Sequence, residues 1–195
     1  MVVDVQEATR ALADIEAVKG RMSELKYYRN AAPYFILWGF VWLVGDGAIE
    51  LTPVSTANWI WIGLIILGVA GSIVIGARQG AQSKREGAAA AKAGDRTWIR
   101  SMLIAAIVFA FIWATMAVFG GATARQFTAF ISITVGFVYM ATGVAAWAWR
   151  VFALGVLVAG LSLVGYLWLA EHFFLWMSLV GGGALILGGL LIRRA

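Results

Sequence analysis

Six long apolar runs, each of about twenty residues, decide what this chain can become. They are Pro33–Leu51, Asn58–Ala77, Trp98–Phe119, Gln126–Trp149, Val151–Ala170 and His172–Ile192. A hydrocarbon layer roughly 30 Å thick is crossed by about 20 helical residues rising ~1.5 Å each. The runs are too long and too unbroken for barrel strands, so helix is the form that satisfies their backbone groups in lipid. The chain is 62% hydrophobic and 13% charged, whereas a soluble domain carries roughly 25% charged residues. The expected fold is an all-α integral membrane protein with six transmembrane helices.

Lys and Arg set the orientation. Arg10, Lys19, Arg21, Lys26 and Arg29 precede the first run, and Arg78, Lys84, Arg85, Lys92, Arg96 and Arg100 follow the second. Arg150 lies between the fourth and fifth, and Arg193 and Arg194 follow the sixth. Arg125 is the one basic residue on the opposite side. The positive-inside rule then predicts both termini in the cytoplasm. Short connections at Thr52–Ala57, "GGATAR" and "EH" predict three hairpins. The domains expected are an N-terminal amphipathic segment, 1–30, and a six-helix membrane unit, 31–195, with a basic cytoplasmic loop at 78–97. No short apolar core with a small-residue cleavage site lies in the first thirty residues, so the first span is expected to remain as an anchor. Glycines within the second, fifth and sixth runs predict close helix packing. No sequence repeat relates the hairpins.

The N-terminal segment carries an apolar stripe of Ala8, Leu12, Ile15, Val18, Met22 and Leu25 at helical spacing. Asn30 and Pro33 predict a boundary before the first span. Three roles fit the stripe: lying on the membrane, pairing with a second copy or another subunit through residues 5–25, or folding back on the basic loop. Beyond the bilayer itself, a homo-oligomer or membrane-complex partner is the expected contact, and no nucleic acid is expected. The basic loop can also attract anionic lipid.

The chain is tryptophan-rich. Trp59, Trp61 and Trp168, and at the other end Trp98, Trp147 and Trp149, predict interfacial belts. Trp38, Trp42, Trp113, Tyr139, Tyr166 and Trp176 lie deeper and form a candidate aromatic pocket for an apolar ligand. "VYMATGVAAWAWR", Val138–Arg150, is similar to a segment of the tryptophan-rich sensory protein family, with Tyr139, Gly143, Ala145 and Trp147 as matching positions. That resemblance implies a porphyrin or sterol-like ligand. It covers only this segment and lacks the family's flanking proline and tryptophan pattern. Trp149–Arg150 is also out of register, and the family has five spans, so no site residue is carried over.

Few enzyme chemistries survive inspection. There is no cysteine, which excludes thiolate metal sites and cysteine nucleophiles. The single histidine, His172, falls at the edge of a span, and Asp46 is the only aspartate inside one. A buried aspartate dyad or a deep serine–histidine pair is therefore not available. No phosphate-cradling Gly-x-x-x-x-Gly-Lys loop occurs. Asp46, Glu50, Arg125, Glu171 and His172 form a candidate polar cluster on the outer side, with an Asp46–Arg125 contact as its expected core. Their spacing matches no metal motif, so neither a metal nor another cofactor is expected. The expected protein is a non-enzymatic polytopic protein of a bacterial inner membrane. It would act as an accessory, assembly or sensory subunit through protein–protein association. The alternative is a small transporter or apolar-ligand-binding protein using Asp46 and the deep aromatics.

Overall fold

The computed structural model describes residues 5–193. Arg194 lies outside the described residues, as do the side chains of Ala8, Lys19, Lys92, Arg96 and Trp98. The chain is all-helical, 91% in helix with no strand among the described residues. The helices are α1 (Val5–Leu51), α2 (Val54–Arg85), α3 (Ala88–Phe119), α4 (Ala124–Ala145), α5 (Trp149–Trp168) and α6 (Phe173–Arg193). A π-helical stretch, Met177–Gly182, interrupts α6. Among the described residues, five helices are long and apolar enough to cross a membrane: α1, α2, α4, α5 and α6. The apolar part of α3, Met102–Val118, falls short of that length. The expected basic loop 78–97 is helical except around Glu86–Gly87.

The expected boundary at Asn30–Pro33 does not form. α1 runs through Pro33 as one helix of 47 residues, about 70 Å at ~1.5 Å per residue. Proline lacks an N–H and its ring pushes against the preceding turn, which leaves carbonyls there under-satisfied. α2 supplies an additional donor in that turn, because Gln79 Nε2 donates to the Asn30 carbonyl at 2.8 Å, next to the Arg29 carbonyl whose helical donor the proline lacks. Tertiary packing thus offsets the local cost of the proline.

α1 is central. α2 packs along one side of it and α6 along another, while α3 lies on α2, α5 on α6, and α4 on α5. Small residues let the backbones meet. A Cβ built on Gly182 would stand 2.7 Å from Leu43 N, and one on Gly39 would stand 2.9 Å from Gly182 O. The α4–α5 contact is built the same way. A Cβ on Gly136 would meet Gly155 O at 2.8 Å, and one on Gly143 would meet Phe152 N at 2.5 Å. The tight pairing therefore joins the fourth and fifth helices, rather than the expected third and fourth. α3 reaches α4 through Phe111 and Phe130, whose ring centroids are 6.0 Å apart.

The turns explain the order of pairing. α4 stops at Ala145 because Trp147 adopts φ 53°, while Ala148 N–H returns to Gly143 O at 2.7 Å and Trp147 N–H to Val144 O at 3.1 Å. This is a Schellman closure with tryptophan where glycine is usual. The expected fourth span therefore ends four residues early, and α5 begins at Trp149. Gly87, at φ 117°, reverses the chain between α2 and α3. A reciprocal cap between Thr123 and Gln126 starts α4.

One end of the bundle is basic and is latched to α1. The Tyr28 hydroxyl donates to Glu24 Oε1 at 2.6 Å and accepts from Arg150 N–H at 3.4 Å. Lys26 Nζ bonds Glu86 Oε2 at 2.8 Å. That hydrogen bond and the charge of Lys26, aided by Arg29, hold the Glu86 carboxyl below its ordinary range. A lowered folded-state pKa contributes stability above the unfolded carboxylate value, and the contribution is lost as pH falls through the lowered value. Acidification through that window is expected to loosen the α2–α3 turn slightly in the parent protein but not in Glu86→Gln. Amide hydrogen exchange at Gly87, followed against pH in both proteins, checks this.

Candidate functional site

The site is built around Asp46, in the last third of α1. Successive helical residues are about 100° apart around the axis. Gly45 faces α2, where the Trp61 indole lies 2.6 Å from the place its Cβ would take. Gly47 faces α6, with Ser178 Oγ 3.1 Å from its equivalent point. Asp46 therefore projects between α2 and α6. The two glycines bring the neighbours in rather than breaking the helix. Asp46 is 1% exposed. Its Oδ1 has no hydrogen-bond partner, and neither does the buried Nε1 of Trp61. The Ser178 hydroxyl does not serve Asp46, because it donates to the Leu43 carbonyl across the helix contact at 2.5 Å. The π-helical stretch of α6 begins one residue earlier, at Met177. Such bulges place side chains where a regular helix does not, and they are frequent at functional sites.

One turn further along α1, Glu50 meets His172, with Oε1 and Nδ1 3.4 Å apart. The Glu50 side chain is 20% exposed and that of His172 is 70% exposed. The expected Asp46–Arg125 contact is not formed. Arg125 instead lies over the Tyr166 ring, 5.0 Å from its centroid. It sits at the start of α4, and α4 packs on α5 rather than along α1. Glu171 is exposed. Of the five expected polar residues, the structure joins Glu50 with His172 and places Asp46 one turn inward on the same helix. Among the described residues, no three of His, Asp or Glu are grouped to hold a metal ion.

The six deep aromatics do not share a pocket. Trp42 is buried in the same core cluster as Phe173 and Met177. Trp38 Nε1 bonds Ser72 Oγ at 3.2 Å, and Trp176 Nε1 bonds the Leu161 carbonyl at 2.9 Å. Tyr139 packs edge-on against Phe35, and Tyr166 against Phe173. Trp113 is 76% exposed on the outside of α3. An apolar groove of about 450 Å³ between α5 and α6 is lined instead by leucines such as Leu154, Leu161 and Leu187, with Gly183 and Gly188. Trp59, Trp168, Trp147 and Trp149 are exposed as belts require. Trp61 is not a belt residue, because it packs on α1.

Trp61 and Ser178 are site residues that a reading by span position misses. Trp61 could have been found from helical spacing. Ala57, Trp61, Leu64, Gly68 and Ser72 recur every three or four residues, and this is the face α2 presents to α1. Nothing local marks Ser178, because its role depends on the π-helical stretch.

Comparisons with known protein families, characterised proteins and solved structures found no match to this chain. The likeness of Val138–Arg150 to the tryptophan-rich sensory protein family gains no support from them. Its residues have local reasons to be there. Gly143 admits Phe152 of α5, and Trp147 closes the turn.

Proposed function

We propose that this chain is a non-enzymatic membrane subunit that works through association, with the protruding part of α1 as its contact element. The observation that carries the reading is the continuity of α1. Lys26 is level with the α2–α3 turn through its bond to Glu86. Residues 5–25 therefore extend past that turn as about 30 Å of helix. Leu12, Ile15, Val18, Met22 and Leu25 are all exposed along it, between 46% and 66%. A stripe of that kind on a rod fixed to a membrane domain suits a second copy or another subunit.

The same reading assigns α3 as a sixth span. α2 ends beside Lys26, while α4 starts with Arg125 beside Tyr166, near the far end of α5. A helix joining those points crosses the bundle. Both termini then lie at the basic end, in the cytoplasm of a bacterial inner-membrane protein. The transporter or ligand-binding alternative has less support, because the deep aromatics enclose no common cavity. Deleting residues 1–20 is expected to abolish association while leaving insertion intact. Native mass spectrometry of detergent-purified parent and truncated protein checks this, and unchanged assembly would reject the reading.

A further inference from the structure

We propose that Asp46 is a proton-binding site reached from the far end of the bundle through His172 and Glu50, and that its occupancy sets how closely α1 packs on the π-helical stretch of α6. Three titratable groups form a graded series. His172 is mostly exposed, Glu50 is 20% exposed, and Asp46 is 1% exposed with an unpartnered oxygen. Glu50 and Asp46 are four residues apart on one helix face, so their Cβ atoms stand about 5–6 Å from each other. One bridging water spans such a gap. His172 Nδ1 and Glu50 Oε1 are 3.4 Å apart at the entrance.

Among the described residues, no cation is in place to hold an ionised Asp46. On α2 the charged groups are Arg78, Lys84 and Arg85, all at the basic end. On α6 the only one is Arg193, at the same end. At the far end, His172 and Glu171 immediately precede α6, with His172 on Glu50, and Arg125 of α4 lies over Tyr166. Arg150, at the start of α5, lies over the Tyr28 ring at the basic end. A divalent ion needs several oxygen ligands, and no grouping of three acidic or histidine residues exists among the described residues. A proton needs one acceptor. The relay is balanced: a proton taken up by the His172 ring leaves Nδ1, breaking an N–H bond as an O–H bond forms on the Glu50 carboxylate. It then passes through the bridging water, where each O–H bond that forms, last on the Asp46 carboxylate, is matched by one that breaks. The reverse sequence releases it. When Asp46 loses the proton, its charge calls for water. Further water is accommodated by separating α1 from α6, where Gly47 meets Ser178 and Gly182 meets Leu43.

The test uses the full chain in lipid nanodiscs and the infrared carbonyl stretch of protonated carboxylic acids. The parent is expected to show such a band, which fades as pH is raised and is lost in Asp46→Asn. Glu50→Gln and His172→Ala are expected to keep the band and slow its exchange in D2O severalfold. The proposal is overturned by a band that ignores pH, by one that survives Asp46→Asn, or by the absence of any band. If Asp46→Asn does not fold, the exchange rates decide alone, and parent-like exchange in both other variants rejects the relay.

Discussion

Gly155→Ala is expected to lower the melting temperature sharply, while Gly160→Ala on the same helix leaves it unchanged or slightly higher. The added carbon at 155 would stand 2.5 Å from Gly136 O and 2.7 Å from Met140 N. Both are backbone atoms of α4, so no side chain can turn away and the helices must part. Overpacking of this kind costs about 1–3 kcal/mol. The upper end is expected here, because the contact belongs to a seam that also holds Gly136 and Gly143. At Gly160 nothing lies within 4 Å, so alanine brings only its better helix propensity, up to about 1 kcal/mol. Thermal unfolding in one detergent measures both. Equal melting temperatures would mean that α4 and α5 do not meet as described.

Truncation of the N-terminus separates association from stability, and where the cut falls decides what is learned. Removing residues 1–20 takes away the exposed Leu12, Ile15 and Val18 and is expected to leave the melting temperature unchanged while assembly is lost. Removing residues 1–29 also removes Lys26 and Tyr28. Tyr28 is 3% exposed and bridges Glu24 and the start of α5. That deletion is expected to destabilise the bundle as well. Losing a buried aromatic side chain alone costs about 3–5 kcal/mol. The shorter deletion is therefore the informative one. Normal assembly after it would place the association elsewhere or deny it.

Much of the helix pattern is legible because bilayer thickness turns apolar run length directly into structure. Partners are less legible. Asn30 and Pro33 read as a boundary, yet α1 continues through both, and Gln79, which bonds the Asn30 carbonyl in the turn before the proline, is 49 residues from Asn30 in sequence. The third and fourth helices read as a hairpin from a short connection. The closer pair is the fourth and fifth, through glycines whose role depends on which side of each helix they occupy. Asp46 is legible as the one deep acid, and Glu50 and His172 as its neighbours at the span end. Arg125 suggested itself as the counter-ion from charge alone, but α4 carries it to Tyr166. Trp61 read as an interfacial residue because its distance from the span end says nothing of the direction in which it points.

The central claim is that α1 is one continuous helix through Pro33. The chain has no cysteine, so two introduced cysteines carry spin labels without background. Leu12 and Val44 lie on either side of the proline and are 62% and 46% exposed. A continuous helix places their backbones about 48 Å apart at ~1.5 Å per residue. If the helix turned at Pro33 to lie along the membrane surface, the same pair would be about 36 Å apart on the same rise per residue. A distance distribution in nanodiscs centred near the longer value is the predicted result. One centred near the shorter value would contradict the rod and the function proposed for it.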